Sequence, residues 1–394
     1  MGSQTIQALL DAAVARGAAP GLTAAVAFAD GTDSFYAAGV RGASDPTPMA
    51  PDDTFWIASC TKAITSAAAL QLVERGVLDL DAPVGERLPN LAAPQVLDGF
   101  GPDGAPRLRP AAKPLTLRRL LTHTSGLAYD FFHADLARYY AQVGGSLMES
   151  APGAPVLAFD PGEGWQYGIG IDAVGWLVEQ ATGQGLDAYV AEHVTGPLGM
   201  TDTAFVSTPE LDARAACMHH HAPDGAFIPV PPLPSSPAYY GGGGLRSTAP
   251  DYLKFLRAVL AEDGGGVLGP KTLAWLREAD SAIHAGDLST AMPPISHDFR
   301  PMPGTPKTWT LGFLRNEADV PGMRRAGSLA WGGLANCYYW ADPASGVAGM
   351  LCGQFLPFAD PGMLATFEAF ERAVYAQLAL RLPTAAAPGS AASR

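Results

Sequence analysis

Thr54-Phe55-Trp56-Ile57-Ala58-Ser59-Cys60-Thr61-Lys62-Ala63-Ile64 reads as an extended segment running into a helix, with a serine at the junction and a lysine three residues later. Residues i and i+3 share one helix face, so the Lys62 amine is within reach of the Ser59 hydroxyl. Ile64, Ala67, Ala68 and Leu72 carry an apolar stripe on to Glu74-Arg75, and Gly76 stops it. A lysine in a first turn faces the positive end of the helix dipole, where an acidic residue is favoured. The same field favours the neutral amine, the form that accepts a proton. The other reading of these residues is Ser59 as a plain helix cap and Lys62 as a solvated charge.

Towards the N-terminus, Leu22–Ala29 and Ser34–Val40 read as strands joined through Asp30-Gly31. Before them, Ile6, Leu9, Leu10, Ala13 and Val14 recur at helical spacing after Ser3 and end at Gly17. Between about Pro83 and Pro237 the chain turns rich in proline and glycine, with helical patches near Leu115–Leu121 and Asp172–Ala181 and no convincing alternation. After Gly241–Gly244, Ser247–Leu260 reads as a helix. Thr308–Arg315, Ala335–Ala341 and Val347–Phe355 read as strands, and Pro361–Leu380 as a closing helix. The expected fold class is therefore α/β (α+β): a mainly antiparallel sheet built from both chain ends and flanked by helices, with an inserted helical domain. We place residues 1–83 and 238–384 in the sheet domain, 84–237 in the insertion, and 385–394 in a disordered tail. The junction between the two domains is the expected ligand site.

The composition agrees with an enzyme. The 394 residues exceed the size at which one core keeps growing, which fits one large or two intimately joined domains. Hydrophobic residues make up 48% and charged residues 16%. A net charge of −13 argues against nucleic acid or an anionic membrane as partner, since both require clustered Lys and Arg. The N-terminus lacks the basic and apolar regions of a secretory signal, and no run of about 18 apolar residues spans a membrane. The four cysteines lack metal-site spacing and are too sparse for a disulfide framework, so a reducing, cytoplasmic setting is expected. Cys337 and Cys352 face each other across a hairpin in this reading, with buried free thiols preferred over a disulfide.

Two further segments carry chemistry. Asp160-Pro161-Gly162-Glu163-Gly164-Trp165-Gln166-Tyr167-Gly168-Ile169-Gly170 is a turn-rich segment that delivers a tyrosine just before a helix. A tyrosine beside a lysine has its phenolate stabilised and so deprotonates a serine, although a core or surface role is open to Tyr167 as well. In Ala330-Trp331-Gly332-Gly333-Leu334, paired glycines within a strand point to close backbone approach by a ligand, or to a bulge. The backbone N–H of Ser59 and the one just after Gly333 would then form an oxyanion hole.

Together with Leu121-Thr122-His123-Thr124-Ser125-Gly126-Leu127, these segments resemble the serine β-lactamase and penicillin-binding superfamily, above all its carboxylesterase branch, family VIII. The likeness runs from Leu22 through the closing helix. It implies Ser59 as nucleophile, Lys62 as its hydrogen-bonding partner, and Tyr167 as general base and later acid. It also implies Leu334 as second oxyanion donor, and Tyr129 and Trp331, with Gly332 and Gly333, as the substrate-binding wall. No cofactor or metal is implied; the partners are a small-molecule ester and water or an alcohol as acyl acceptor. Two departures from the lactamase pattern stand out. Its Tyr-x-Asn ends here in Ile169, and its Lys-Thr-Gly is replaced by Trp331-Gly332-Gly333, which removes the cation that meets a lactam carboxylate. Lys271-Thr272 and Lys307-Thr308 are not followed by glycine. The expectation is a serine carboxylesterase acting on uncharged, short-chain esters. The alternatives are an amidase, a D-amino-acid peptidase or a weak lactamase on the same fold, or a non-catalytic penicillin-recognition protein. No G-x-S-x-G elbow occurs, which argues against an α/β-hydrolase. His219-His220-His221 is expected in an exposed loop rather than on a metal, His123 in a structural hydrogen-bonding role, and Asp172 as a cap or anchor of the helix after Tyr167.

Overall fold

A computed structural model describes residues 5–144, 155–231 and 240–381. Ser3, the tail at 385–394 and the boundary placed between 237 and 238 lie outside the described residues.

The centre is an eight-stranded antiparallel sheet. In chain order its strands are β1 (Gly21–Phe28), β2 (Asp33–Gly42), β3 (Asp45–Pro48), β4 (Lys307–Trp309), β5 (Leu314–Asn316), β6 (Leu329–Gly333), β7 (Cys337–Asp342) and β8 (Val347–Cys352). In space they run β4-β5-β6-β7-β8-β1-β2-β3, so the first and last strands of this sheet in chain order are neighbours, with Thr23 opposite Cys352. Cys337 also lies opposite Cys352, and all four cysteines are free thiols.

All eight residues of β1 are buried, so the sheet is covered on both faces. Successive residues of a strand point to opposite faces, and β7 shows which helix covers each. Tyr338 and Trp340 meet Phe367 and Phe370 of the closing helix, α5 (Pro361–Arg381). Tyr339, between them, meets Tyr252 of α4 (Ala249–Leu260). Fully burying one such aromatic side chain contributes about 1.5–3 kcal/mol. Gly349 makes room for the indole, since a Cβ there would lie 2.3 Å from Trp340. The opening helix α1 (Ile6–Ala15) begins at Thr5, whose hydroxyl accepts from Ala8 N.

Helix α2 (Thr61–Glu74) follows Ser59, and every residue from Thr61 to Leu72 is buried. It is a central helix packed all round rather than an amphipathic cover, which its run of alanines permits. Helix α3 (Gly170–Thr182) packs against it.

The sequence reading needs correcting in five places. Thr308–Arg315 is a tight hairpin between β4 and β5, because the Thr310 hydroxyl accepts from Gly312 N and Phe313 N and turns the chain. The strand expected from Ala335 begins only at Cys337, after Asn336 turns at φ +63°. The strand expected from Val347 to Phe355 ends at Cys352; Phe355–Leu356 joins a different sheet. The region read without strands holds Gln95–Phe100, Pro106–Pro110 and Val156–Leu157 in one small sheet. His219–His221 lies in another, as a strand paired with Phe227–Pro229 and Phe355–Leu356. The histidine run is therefore not an exposed loop: His219 is buried and accepts from Ala43 N, and His221 pairs with Asp360.

Candidate active site

Ser59 sits in a single 3-10 turn, Ala58–Cys60, that feeds α2, and its side chain caps no helix. The turn is strained: Ala58 has φ +45°, a region that costs a non-glycine residue on the order of 1–3 kcal/mol. Neighbours hold it in place. Ile57 N donates to Leu245 O, and the Tyr252 hydroxyl donates to Cys60 O at 2.8 Å. Gly333, at the end of β6, packs so closely that a Cβ would lie 2.2 Å from Ile57 O. The paired glycines thus answer an approach of the chain to itself: Gly332 gives way to the Tyr338 ring, and Gly333 to the turn before Ser59. This contact brings Leu334 beside the Ser59 turn. Neither Ser59 N nor Leu334 N donates a main-chain hydrogen bond among the described residues.

Lys62 is the buried polar centre. Its Nζ lies 3.2 Å from Ser59 Oγ, 3.1 Å from the Tyr129 hydroxyl and 2.5 Å from Gly242 O. An ammonium has three hydrogens for these three acceptors. A neutral amine keeps two for Tyr129 and Gly242 and turns its lone pair to the Ser59 hydroxyl, so the geometry serves both states. Burial lowers the Lys62 pKa to about 8, with Asp172 opposing the shift. Tyr129, expected as a wall, is also a hydrogen-bonding partner of the lysine.

Tyr167 is delivered by two loops zipped together. Tyr129 N donates to Tyr167 O, Gln166 N to His123 O and Gly162 N to Thr124 O. Gly168 allows this, since a Cβ there would lie 1.7 Å from Leu127 O. The Tyr167 ring centre is 4.9 Å from Lys62 Nζ and 4.8 Å from the Trp331 ring. Its hydroxyl is buried near Ser59 and Trp331, with no partner in full hydrogen-bonding geometry. Burial raises its pKa, against the smaller opposite pull of Ser59 and Trp331. Trp331 is buried between Tyr167, Trp309 and Phe299, and the half-buried Ile169 offers no side-chain amide.

Sequence reasoning missed the second layer. The Gly241–Gly244 run wraps the start of α2: Thr65 donates to Gly241 O, Lys62 to Gly242 O and Trp56 Nε1 to Gly243 O. Asp172 does not anchor its own helix. Its buried carboxylate accepts from Gly242 N at 2.9 Å, and so steadies the peptide whose carbonyl holds Lys62. A Cβ on Gly242 would meet that carboxylate at 2.6 Å, and the glycine run was the available signal. His123 is also unlike its expectation: neither ring nitrogen has a partner. The unused Lys307 of the second Lys-Thr pair is buried and bound to Asp287 and Pro301 O, away from these groups. Among the described residues, no His, Cys, Asp or Glu cluster suits a metal ion, and no helix is long and apolar enough to cross a membrane.

Comparison with known proteins agrees with this fold. The Beta-lactamase family model matches residues 6–368. Monacolin J acid methylbutanoyltransferase of Aspergillus terreus is 36% identical over 349 residues, covering 84% of each chain. Lovastatin esterase of Penicillium rubens is 34% identical, covering 77% of this chain and 80% of its own. The solved structure of a simvastatin synthase mutant from Aspergillus terreus superposes with a TM-score of 0.85 at 32% identity, over 95% of both chains. The mixed α/β fold and its antiparallel sheet are shared with that structure. By family model, sequence and fold, the chain belongs to the Beta-lactamase family, within the serine β-lactamase and penicillin-binding superfamily.

Proposed function

We propose that this protein is a serine esterase or acyltransferase that works through an acyl-Ser59 intermediate on small, uncharged carboxylic esters. The observation that carries the reading is Lys62, buried, with its Nζ held between Ser59 Oγ, Tyr129 and Gly242 O and its pKa lowered to about 8. Roughly a tenth of it is neutral at pH 7. That fraction takes the Ser59 proton as Oγ attacks the ester carbonyl. The amides of Ser59 and Leu334 hold the oxyanion. As the intermediate collapses, Tyr167 gives its proton to the departing alkoxide, and the proton on Lys62 restores the phenol. Water or a second alcohol then enters by the reverse steps and releases the acyl group. We assign the base role to Lys62 rather than to Tyr167, because burial raises the phenol and lowers the amine.

The relatives support both outcomes, one being named a methylbutanoyltransferase and another an esterase. Uncharged esters fit the aromatic surroundings of Trp331, whereas a lactam carboxylate placed there lacks a cation and is strongly disfavoured. Trp331 and Tyr129 form the substrate side in this reading, with Gly332 and Gly333 setting the β6 backbone against the turn before Ser59. The test is reaction with a fluorophosphonate, followed by mass analysis and by kcat/KM for nitrophenyl butyrate and nitrocefin. Label on Ser59 and a far higher value for the ester are expected. A label elsewhere, or comparable values, overturns the reading.

A further inference from the structure

Several of the buried polar atoms that lack partners gather in one place. His123, Trp165, Tyr167, Trp309 and Trp331 all hold such atoms. Their rings form a single cluster, with His123 centred 4.7 Å from Tyr167, 4.9 Å from Trp309 and 6.3 Å from Trp165. Trp331 lies 4.8 Å from both Tyr167 and Trp309. Three indoles offer donors only. A neutral imidazole adds an acceptor nitrogen as well as a donor. A buried polar group without a partner costs about 1–3 kcal/mol, and His123 carries two such atoms. Its backbone is strained too, at φ +57°. An apolar residue would avoid the first cost and glycine the second, yet the chain places a histidine against the tyrosine of its site.

We propose that His123 is a positioning residue for Tyr167: its imidazole and the neighbouring indole N–H groups hold ordered water against the Tyr167 hydroxyl and direct that hydroxyl's proton at the leaving oxygen. This rests on the reading of Tyr167 as proton donor. A polar cage of this kind suits water, which needs two to four partners of both kinds. Burial, reinforced by the charge of Lys62, holds the His123 pKa well below its ordinary value. The imidazole therefore stays neutral and gains or loses no proton over the cycle. The proton that Tyr167 gives to the alkoxide is replaced from Lys62, as before.

The experiment uses the full chain and two esters that differ in what the leaving group requires. Nitrophenolate departs without a proton, whereas ethoxide needs one. His123→Phe keeps a ring and removes both nitrogens. It is expected to lower kcat on ethyl butyrate about tenfold more than on nitrophenyl butyrate, with KM within about twofold and no fall in Tm. His123→Asn, which tolerates positive φ and restores a donor and an acceptor, is expected to recover part of the ethyl ester rate. Equal losses on the two esters, or no loss, overturn the proposal. A second measurement needs no variant to fold: ¹⁵N shifts of the His123 imidazole in the native protein. Hydrogen-bonded nitrogens are expected, and free-nitrogen shifts at both positions overturn the proposal. Native protein inert towards both esters would defeat the functional reading instead, while the nitrogen shifts still decide what His123 touches.

Discussion

The two ends of the site are built on opposite principles. At the Lys62 end every polar group is met: three acceptors surround the amine, and Asp172 secures one of them from behind. At the Tyr167 end, one ring away, the hydroxyl, three indole N–H groups and an imidazole have no protein partner. The first end is assembled before any substrate arrives, which costs no reorganisation during reaction. In the proposed mechanism the second presents donors where charge develops on a departing oxygen. The contrast then means that activation of Ser59 is fixed by the fold, and that leaving-group protonation depends on what enters.

The harshest way to break this contrast is to remove the amine. Lys62→Ala, assayed beside Ser59→Ala with nitrophenyl butyrate, is expected to lose on the order of 10⁴-fold in kcat. Activity within about tenfold of the native protein would show that the polar end does not activate Ser59. The two tyrosines sharpen the contrast. Tyr167→Phe is expected to cost about 10²–10⁴-fold in kcat on ethyl butyrate and, since no protein group meets its hydroxyl in hydrogen-bonding geometry, not to lower stability. Tyr129→Phe takes one acceptor from a buried amine and is expected to destabilise by about 1–3 kcal/mol. Urea unfolding of both variants checks this, and equal stability losses would erase the distinction between the two ends. The smallest expected effect is on pH. If neutral Lys62 is the base, kcat/KM rises with pH along a limb centred near pH 8. Asp172 raises the Lys62 pKa, so Asp172→Asn moves that limb to lower pH while slowing the plateau about tenfold through the loosened Gly242. A limb that stays in place would remove Asp172 from the lysine's surroundings.

What the sequence discloses follows the range of each interaction. Ser59 and Lys62 announce themselves because a helix turn places them together, and Tyr167 because turn residues crowd around it. The strands β1, β2 and β8 are long enough to read. Strands of two or three residues, such as Val156–Leu157 and His219–His221, are too short for alternation to register. Asp172 and Gly242 meet across a large sequence separation, and one of them contributes only backbone, so no local pattern signals the bond. Gly332 and Gly333 were legible as a close approach, but the partner proved to be the chain's own Ile57 and Tyr338. His123 looked structural because its surroundings were invisible: a histidine ringed by indoles arises only once four separate segments have packed.

The pairing of β1 with β8 sets a schedule for the living chain. Ser59 lies early in the sequence, yet its turn is pressed into shape by Gly333 and capped by Tyr252. During synthesis the ribosome has delivered Ser59, Lys62 and Tyr167 long before Gly333 emerges, and β1 waits still longer for β8. A nascent or truncated product lacking β6 to β8 would hold all three side chains of the proposed site without the strand that presses the Ser59 turn into shape. On the proposed mechanism, ester cleavage would arrive only with the last strands of the sheet.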